Sequence, residues 1–124
     1  MSYQNGNIIY IISCKEYIRD KKYKIGKTKN LNSRLRSYKT GFPSEVKVVY
    51  YKYIDNMDLA EKLVHHFYKD DKCNDGGGTE WFKIKNIDEC IYCINNVNDY
   101  LQSRPTSSSS YSSKIKRFLC CFFR

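Results

Sequence analysis

Apolar residues in the first half of the chain fall mainly into three short runs that are typical of β-strands. Residues 7–13, 22–28 and 46–54 are rich in β-branched and aromatic side chains, and each run has the length of a strand. The polar connection over residues 14–21 is longer than a tight hairpin turn and predicts a surface loop. We expect the first two strands to pair antiparallel.

Three further segments show the spacing of amphipathic helices. Apolar side chains recur every three or four positions after Asn30, over residues 57–69 and over residues 87–102. Asn30 is a suitable N-cap, and the first of these helices should end near Gly41. The pattern therefore predicts helices that alternate with the later strands.

Residues 70–78 are dominated by Asp, Asn and Gly and can only form a loop. Residues 79–84 follow as a short extended piece. The predicted order is β-β-α-β-α-(β)-α. This is the element order of an α/β (α+β) fold.

The length of 124 residues allows one folded domain, which we assign to residues 1–102. Residues 103–113 form a Ser-rich linker that cannot bury enough surface to fold. Residues 114–124 form a basic, aromatic tail that contains cysteines. Because the sequence shows neither a secretory signal nor a long apolar segment, we expect an intracellular protein.

Basic residues outnumber acidic ones by 22 to 13, which gives a net charge of +9. Such a surplus favours polyanions, because each phosphate contact releases condensed counterions. Two interpretations of the tail remain open. It could bind a membrane surface, with Cys120 and Cys121 available for S-acylation, or it could be an extension that adds charge for DNA.

The six cysteines are expected to be reduced thiols, since no signal peptide directs the chain to an oxidising compartment. Cys90-x-x-Cys93 could join Cys73 and His65 or His66 in a zinc site. The alternative is that Cys90 and Cys93 are small apolar residues on the core side of a helix.

Four motifs occur in order between residues 7 and 84: Ile9-Tyr10-Ile11, Lys24-Ile25-Gly26-x-Thr28-x-x-Leu31-x-x-Arg34 with Tyr38, Glu61-x-x-x-His65-x-Phe67, and Gly78-Thr79-Glu80-Trp81-Phe82. Together they resemble the GIY-YIG endonuclease superfamily, in its viral and phage DNA-binding branch. KIG replaces YIG, and the motif set ends in EWF. The resemblance makes a virus-encoded protein plausible.

The resemblance implies a small central sheet of three antiparallel strands flanked by helices. It also implies a divalent-metal-dependent endonuclease that hydrolyses DNA phosphodiester bonds. Glu61 would hold one Mg²⁺ or Mn²⁺, and Arg34 would face the scissile phosphate. Tyr10 would help to deprotonate the attacking water, which requires a phenol pKa below its usual value of about 10. Lys24 would either lower that pKa or contact a phosphate.

The resemblance also implies substrate contacts from further positions of the same motifs: Lys27, Thr28, Arg36, Tyr38 and His65. Glu80 and Trp81 stand near the place where nucleases of the wider superfamily often present an asparagine. Each role has a structural alternative. Asp58-x-x-Glu61 could be a helix capping box, Tyr10 could fill the core, and Arg34 could be a solvated helix residue.

Two other functions remain open. The same fold could be a DNA-binding module whose cutting ability is lost or slight. Alternatively, the chain could be a membrane-tethered interaction protein that uses its C-terminal tail and keeps the fold as a scaffold. Both alternatives keep the same fold. They differ in the side chains that would bind the partner, which are those of the domain in the first case and those of the tail in the second.

Overall fold

The computed structural model describes residues 3–73 and 80–103, with side chains up to residue 97 in the last helix. Eight elements follow one another: β1 (Ile8–Ser13), α1 (Lys15–Arg19), β2 (Lys22–Thr28), α2 (Leu31–Tyr38), β3 (Lys47–Tyr53), α3 (Met57–Phe67), β4 (Trp81–Lys83) and α4 (Ile87–Ser103). A single 3₁₀ turn, Lys69–Asp71, follows α3. The linker and the tail over residues 104–124 lie outside the described residues.

The sheet has four strands in the order β3-β1-β2-β4, and all neighbouring strands are antiparallel. The pairing of the first two predicted strands is confirmed, but the expectation of three strands is wrong. Trp81–Lys83 pairs with Lys22, Tyr23 and Lys24 and forms the fourth strand. Three residues are too few for an alternating pattern to be recognised in the sequence.

Two other local predictions are corrected. The predicted loop after β1 contains the five-residue helix α1, which is too short to display a helical repeat. At the start of α3, the side chain of Asn56 accepts a hydrogen bond from the backbone N–H of Leu59. Asn56 is therefore the N-cap, and the capping-box interpretation of Asp58 and Glu61 is wrong.

Two apolar clusters lie on opposite faces of the sheet. On one face, Ile9, Ile11 and Ile25 pack against α3 and α4 in the larger cluster. On the other face, Tyr10 and its apolar neighbours on β1 pack against Leu31 of α2 in the smaller cluster. All six residues of β1 are buried, because this strand lies in the interior of the sheet with helices on both sides.

Cys90 and Cys93 are fully buried in the larger cluster, and burial raises the pKa of the Cys90 thiol to about 12. Cys14, Cys90 and Cys93 are free thiols. In residues 3–73 and 80–103, no three His, Cys, Asp or Glu side chains form a group that could hold a metal ion. The described part of the chain therefore favours the apolar interpretation of Cys90-x-x-Cys93 over the zinc site.

No helix in the described part of the chain is both long and apolar enough to cross a bilayer. The predicted membrane-binding tail and its acylation sites, Cys120 and Cys121, fall outside the described residues and stay predictions.

Candidate functional site

The candidate site lies at the edge of β2 where its pairing with β4 ends. The last paired position is Lys24, opposite Trp81, and the N–H of Ile25 donates to the carbonyl oxygen of Glu80 at 3.1 Å. The carbonyl oxygen of Ile25 contacts Nε2 of His65 on α3 at 2.8 Å. Side chains from the α2 face and from α3 meet at this edge.

Tyr10 lies on β1 directly opposite Gly26 of β2, and its phenol ring extends over that glycine. A Cβ atom at residue 26 would lie only 2.5 Å from the Tyr10 hydroxyl oxygen. The hydroxyl is 3.1 Å from the hydroxyl of Tyr38 on α2. The absence of a side chain at Gly26 thus allows Tyr10 to cross β2 and reach the site.

Arg34 lies one helical turn before Tyr38 on α2, so both side chains project from the same flank. Burial opposes the charge of Arg34, but its interactions with Tyr10, Tyr38 and Glu80 outweigh burial and raise the pKa of its guanidinium. Arg34 therefore places a permanent positive charge beside the two phenols.

The expected lowering of the Tyr10 pKa is not found. Burial, together with the hydrogen bond to Tyr38, raises the pKa of the Tyr10 phenol well above its usual value. Arg34 supplies the positive charge that acts in the opposite direction. In this structure Tyr10 is a protonated phenol, and Arg34, in place of Lys24, is the cation that affects it.

Lys24 is paired with Glu80, whose Oε1 lies 3.4 Å from the Lys24 ammonium nitrogen. The ammonium nitrogen also lies 5.4 Å from the ring centre of Tyr38 and 5.7 Å from that of Trp81. Lys24 is only 9% exposed. A buried ammonium needs a counter-ion, and Glu80 provides it.

Glu61 projects from α3 toward the same edge. Its Oε1 is 3.9 Å from the ammonium of Lys27, which also pairs with Asp58, and its Oε2 is 4.0 Å from Nε2 of His65. Oε2 is buried without a hydrogen-bond partner. Burial raises the pKa of Glu61, and the charge of Glu80 adds to this effect, against the opposing influence of His65 and Lys27.

Glu80 connects the two halves of the site. The charge of Glu80 affects the pKa values of Tyr10 and Arg34 on the side of α2. It also affects those of Lys27 and Glu61 on the side of α3. Its side chain pairs with Lys24. Glu80 thus pairs with Lys24 and interacts electrostatically with the other three predicted catalytic side chains, Tyr10, Arg34 and Glu61. In the sequence, the only signal for Glu80 was its position in the EWF motif.

The predicted substrate-binding residues separate into two groups. Lys27, Tyr38 and His65 lie at the site, as described above. The Thr28 hydroxyl instead bonds to the backbone N–H and carbonyl of Asn30 at the start of α2. Arg36 is exposed and lines a surface groove beside Phe42. Thr28 thus shapes the turn before α2, and Arg36 lies in the exposed groove that Phe42 also lines.

Comparisons with known proteins give one positive result. A family model described as the T5orf172 domain matches residues 7–98. No curated protein and no solved structure gives a significant match. The T5orf172 domain is phage-associated and falls in an endonuclease-related group. The match spans β1 through most of α4, including every element that contributes to the site, and the chain therefore belongs to the T5orf172 domain family.

Proposed function

We propose that this protein acts on DNA as a divalent-metal-dependent endonuclease of the GIY-YIG type. The observation that carries the proposal is the ion pair of Glu80 with Lys24, together with the electrostatic interactions of Glu80 with Tyr10, Arg34 and Glu61. Phosphodiester hydrolysis needs a phosphate-binding cation, hydroxyl groups near the attacking water, and stabilisation of the leaving oxygen. These side chains supply the first two requirements.

Arg34 is the proposed phosphate ligand. Its guanidinium remains charged throughout the pH range of the protein and can donate two parallel hydrogen bonds to phosphate oxygens. The other nearby cations, Lys24 and Lys27, are already paired with Glu80 and Asp58. Arg34 is therefore the cation best suited to accept an incoming phosphate without first breaking a close ion pair.

Tyr10 and Tyr38 present adjacent hydroxyls beside Arg34. Tyr10 is fully buried and its raised pKa keeps it protonated, so it would act on a phosphate oxygen or the attacking water through the hydroxyl of Tyr38, which is half-buried. A role as general base requires the phenol to lose its proton first. Arg34 favours that loss, while burial opposes it.

A divalent cation at this site would depend on Glu61 as a single protein carboxylate, since the described residues hold no cluster of three His, Cys, Asp or Glu side chains. Glu61 offers a buried carboxylate oxygen that lacks a hydrogen-bond partner, and Mg²⁺ is commonly held by one or two carboxylates together with water and substrate oxygens. When bound by Glu61, such an ion would stabilise charge on the leaving oxygen. The Lys27 ammonium already pairs with the Glu61 carboxylate, so the ion and Lys27 would both interact with that carboxylate.

A second candidate function is DNA binding with little or no cleavage. The specific observation in its favour is that Tyr10 is held in its protonated form, while both lysines of the site are engaged by carboxylates. A site of this kind can bind phosphate through Arg34 without activating a water molecule. The two candidates therefore differ in chemistry and share the same binding surface.

Plasmid nicking distinguishes the two candidates. We expect the wild-type chain to nick supercoiled DNA with Mg²⁺ or Mn²⁺, and Arg34→Ala and Glu61→Gln to reduce the rate by about 100-fold or more, the usual effect of removing one group that stabilises a transition state. Arg19→Ala removes the same charge from the exposed end of α1 and serves as the matched control.

The outcomes are distinct. Nicking that survives in both site variants contradicts the endonuclease proposal. If no variant nicks DNA but the wild type retards it in a gel and Arg34→Ala does not, the binding-module candidate is supported. Circular dichroism of each variant checks that the fold is retained.

A further inference from the structure

An aromatic patch adjoins the candidate site on the α2 side. Four rings from four different segments form it: Tyr17 of α1, Tyr38 of α2, Phe42 of the following loop and Trp81 of β4. Each ring lies 5.0 to 5.8 Å from the next, with interplanar angles between 45° and 78°. Trp81 is buried, and the other three rings form the accessible part of the patch.

The apolar cores do not account for this patch. Neither Tyr17 nor Trp81 belongs to the two apolar clusters of the described chain, and Tyr38 and Phe42 only border the smaller one. Tyr17, Tyr38 and Phe42 are half-buried and so retain accessible ring surface. Ser44 also donates a hydrogen bond to Glu16, which ties the loop carrying Phe42 to α1 beside Tyr17.

The patch is continuous with the phosphate-binding groups through Tyr38. The hydroxyl of Tyr38 contacts Tyr10 and Arg34, while its ring packs on Phe42 and lies beside the Lys24 ammonium. A second ammonium, that of Lys22, lies 5.4 Å from the ring centre of Tyr17. Aromatic faces bordered by cations are the combination that binds unpaired nucleotides, since bases stack on the rings and phosphates meet the charges.

We propose that the aromatic patch stacks an unpaired base next to the phosphate held by Arg34, so that the substrate of this site is DNA with a single-stranded segment. The inference rests on the proposed function, because it assumes that DNA phosphate binds at Arg34. In a continuous duplex both faces of each base are covered by its neighbours. Only a strand with unpaired bases can offer a base face to the rings of the patch.

Trp81 is the single tryptophan of the chain and lies in the patch, so its fluorescence reports directly on binding there. We would titrate the full chain, in EDTA to prevent cleavage, with a single-stranded oligothymidylate, a blunt duplex of equal length and an abasic strand with the same number of phosphates. The single strand should change Trp81 emission and bind at least about fivefold more tightly than either other probe, the lower limit of what one stacked base contributes.

Matched substitutions then test the rings themselves. Tyr17→Leu and Phe42→Leu keep an apolar side chain but remove the flat face, and each should weaken single-strand binding by about fivefold or more. Binding is measured by anisotropy of a labelled strand. Tyr51→Leu makes the same change at an exposed tyrosine of β3 that packs on Tyr3 and Tyr53, and should leave the affinity unchanged. Tyr17→Phe should retain the affinity.

The inference is overturned if the abasic strand binds as tightly as the oligothymidylate, a result that needs no variant and is independent of any folding defect. It is also overturned if Tyr17→Leu and Phe42→Leu behave like Tyr51→Leu. In either case the proposed function stands if Arg34→Ala still weakens DNA binding. If no oligonucleotide binds, both proposals fail.

Discussion

The two faces of the sheet are built differently. The face covered by α3 and α4 carries a large apolar cluster of aliphatic, aromatic and cysteine side chains. Among the described residues, the cluster on the face covered by α2 has four fully buried members, and next to them lie the Tyr10 hydroxyl, the Lys24 ammonium and the Arg34 guanidinium. The comparison indicates that one face supplies most of the stability and the other most of the chemistry.

Helix α3 connects these two regions. Its residues Leu63 and Val64 are buried in the larger cluster, while Glu61 and His65 point to the edge of β2. A carboxylate carried by a well-packed helix keeps its position relative to the sheet, which a site needs if it is to hold an ion or a phosphate. The packing of α3 in the larger cluster thereby fixes the positions of Glu61 and His65.

The largest effect on stability is expected from Ile94→Ala in α4. Ile94 is fully buried in the larger cluster, and truncating such a side chain leaves a cavity that costs about 2–5 kcal/mol of unfolding free energy. Urea denaturation measures the loss. Oligonucleotide affinity well below the melting temperature should stay unchanged, because Ile94 lies on the face away from Arg34.

The control for this prediction is Ile91→Ala, one turn earlier in α4 at a half-buried position that borders the same cluster. Ile91→Ala should lower the unfolding free energy by clearly less than Ile94→Ala does. Equal losses in the two variants, or a loss of DNA affinity with Ile94→Ala, would contradict the division of roles between the two faces.

Gly26→Ala should act mainly on the site. The new Cβ would lie 2.5 Å from the hydroxyl oxygen and 2.7 Å from Cζ of Tyr10, so the phenol must move away from Tyr38. Displacing a reacting group by about 1 Å can reduce a rate by about 100-fold, while overpacking costs about 1–3 kcal/mol of stability. Nicking rate and melting temperature measure the two effects separately.

Gly41→Ala is the matched control, because its nearest contact to a new Cβ is a backbone oxygen at 3.9 Å. It should affect neither nicking nor stability to a comparable degree. If Gly26→Ala nicks DNA at the wild-type rate, the position of the Tyr10 hydroxyl over Gly26 has no part in the reaction.

The sequence predicts the long elements of this fold well because each has enough residues to show its repeat. The bounds of β1, β2, β3 and α3 differ from the prediction by two residues at most, and β2 agrees fully. The extended piece predicted over residues 79–84 contains β4, with three residues, but its pairing as a fourth strand was not predicted, and α1, with five residues, was missed. Their conformations depend on contacts with the rest of the chain more than on local pattern.

For the site, the motifs supplied four candidate side chains, but not their electrostatic partners. Glu80 meets Lys24 only because β4 pairs with β2, and no local pattern encodes the register of two strands so far apart in sequence. The raised pKa of Tyr10 likewise depends on burial and on Tyr38 of a helix that is distant in sequence. The sequence could thus predict which residue types lie at the candidate site. The pKa of Tyr10 could not be predicted, because it depends on the three-dimensional environment.

The smallest expected effect is a gain of stability in Glu61→Gln. Because burial raises the pKa of Glu61, the folded chain holds this proton more tightly than the unfolded chain does. Ionisation of Glu61 therefore destabilises the fold, and this cost is absent below the ordinary pKa of a glutamate and grows as the pH rises through the raised value. Glutamine cannot ionise, so the variant should gain about 1 kcal/mol at neutral pH.

Melting temperatures of wild type and Glu61→Gln between pH 4 and 7 test this sign, with the exposed Glu45→Gln as control. The difference should vanish at the acidic end and appear toward neutrality. Added Mn²⁺ should then raise the melting temperature of the wild type alone, because only the carboxylate can hold the ion. A Glu61→Gln variant that is less stable at pH 7, or one that Mn²⁺ stabilises equally, would show that this carboxylate supports the fold and does not serve an ion.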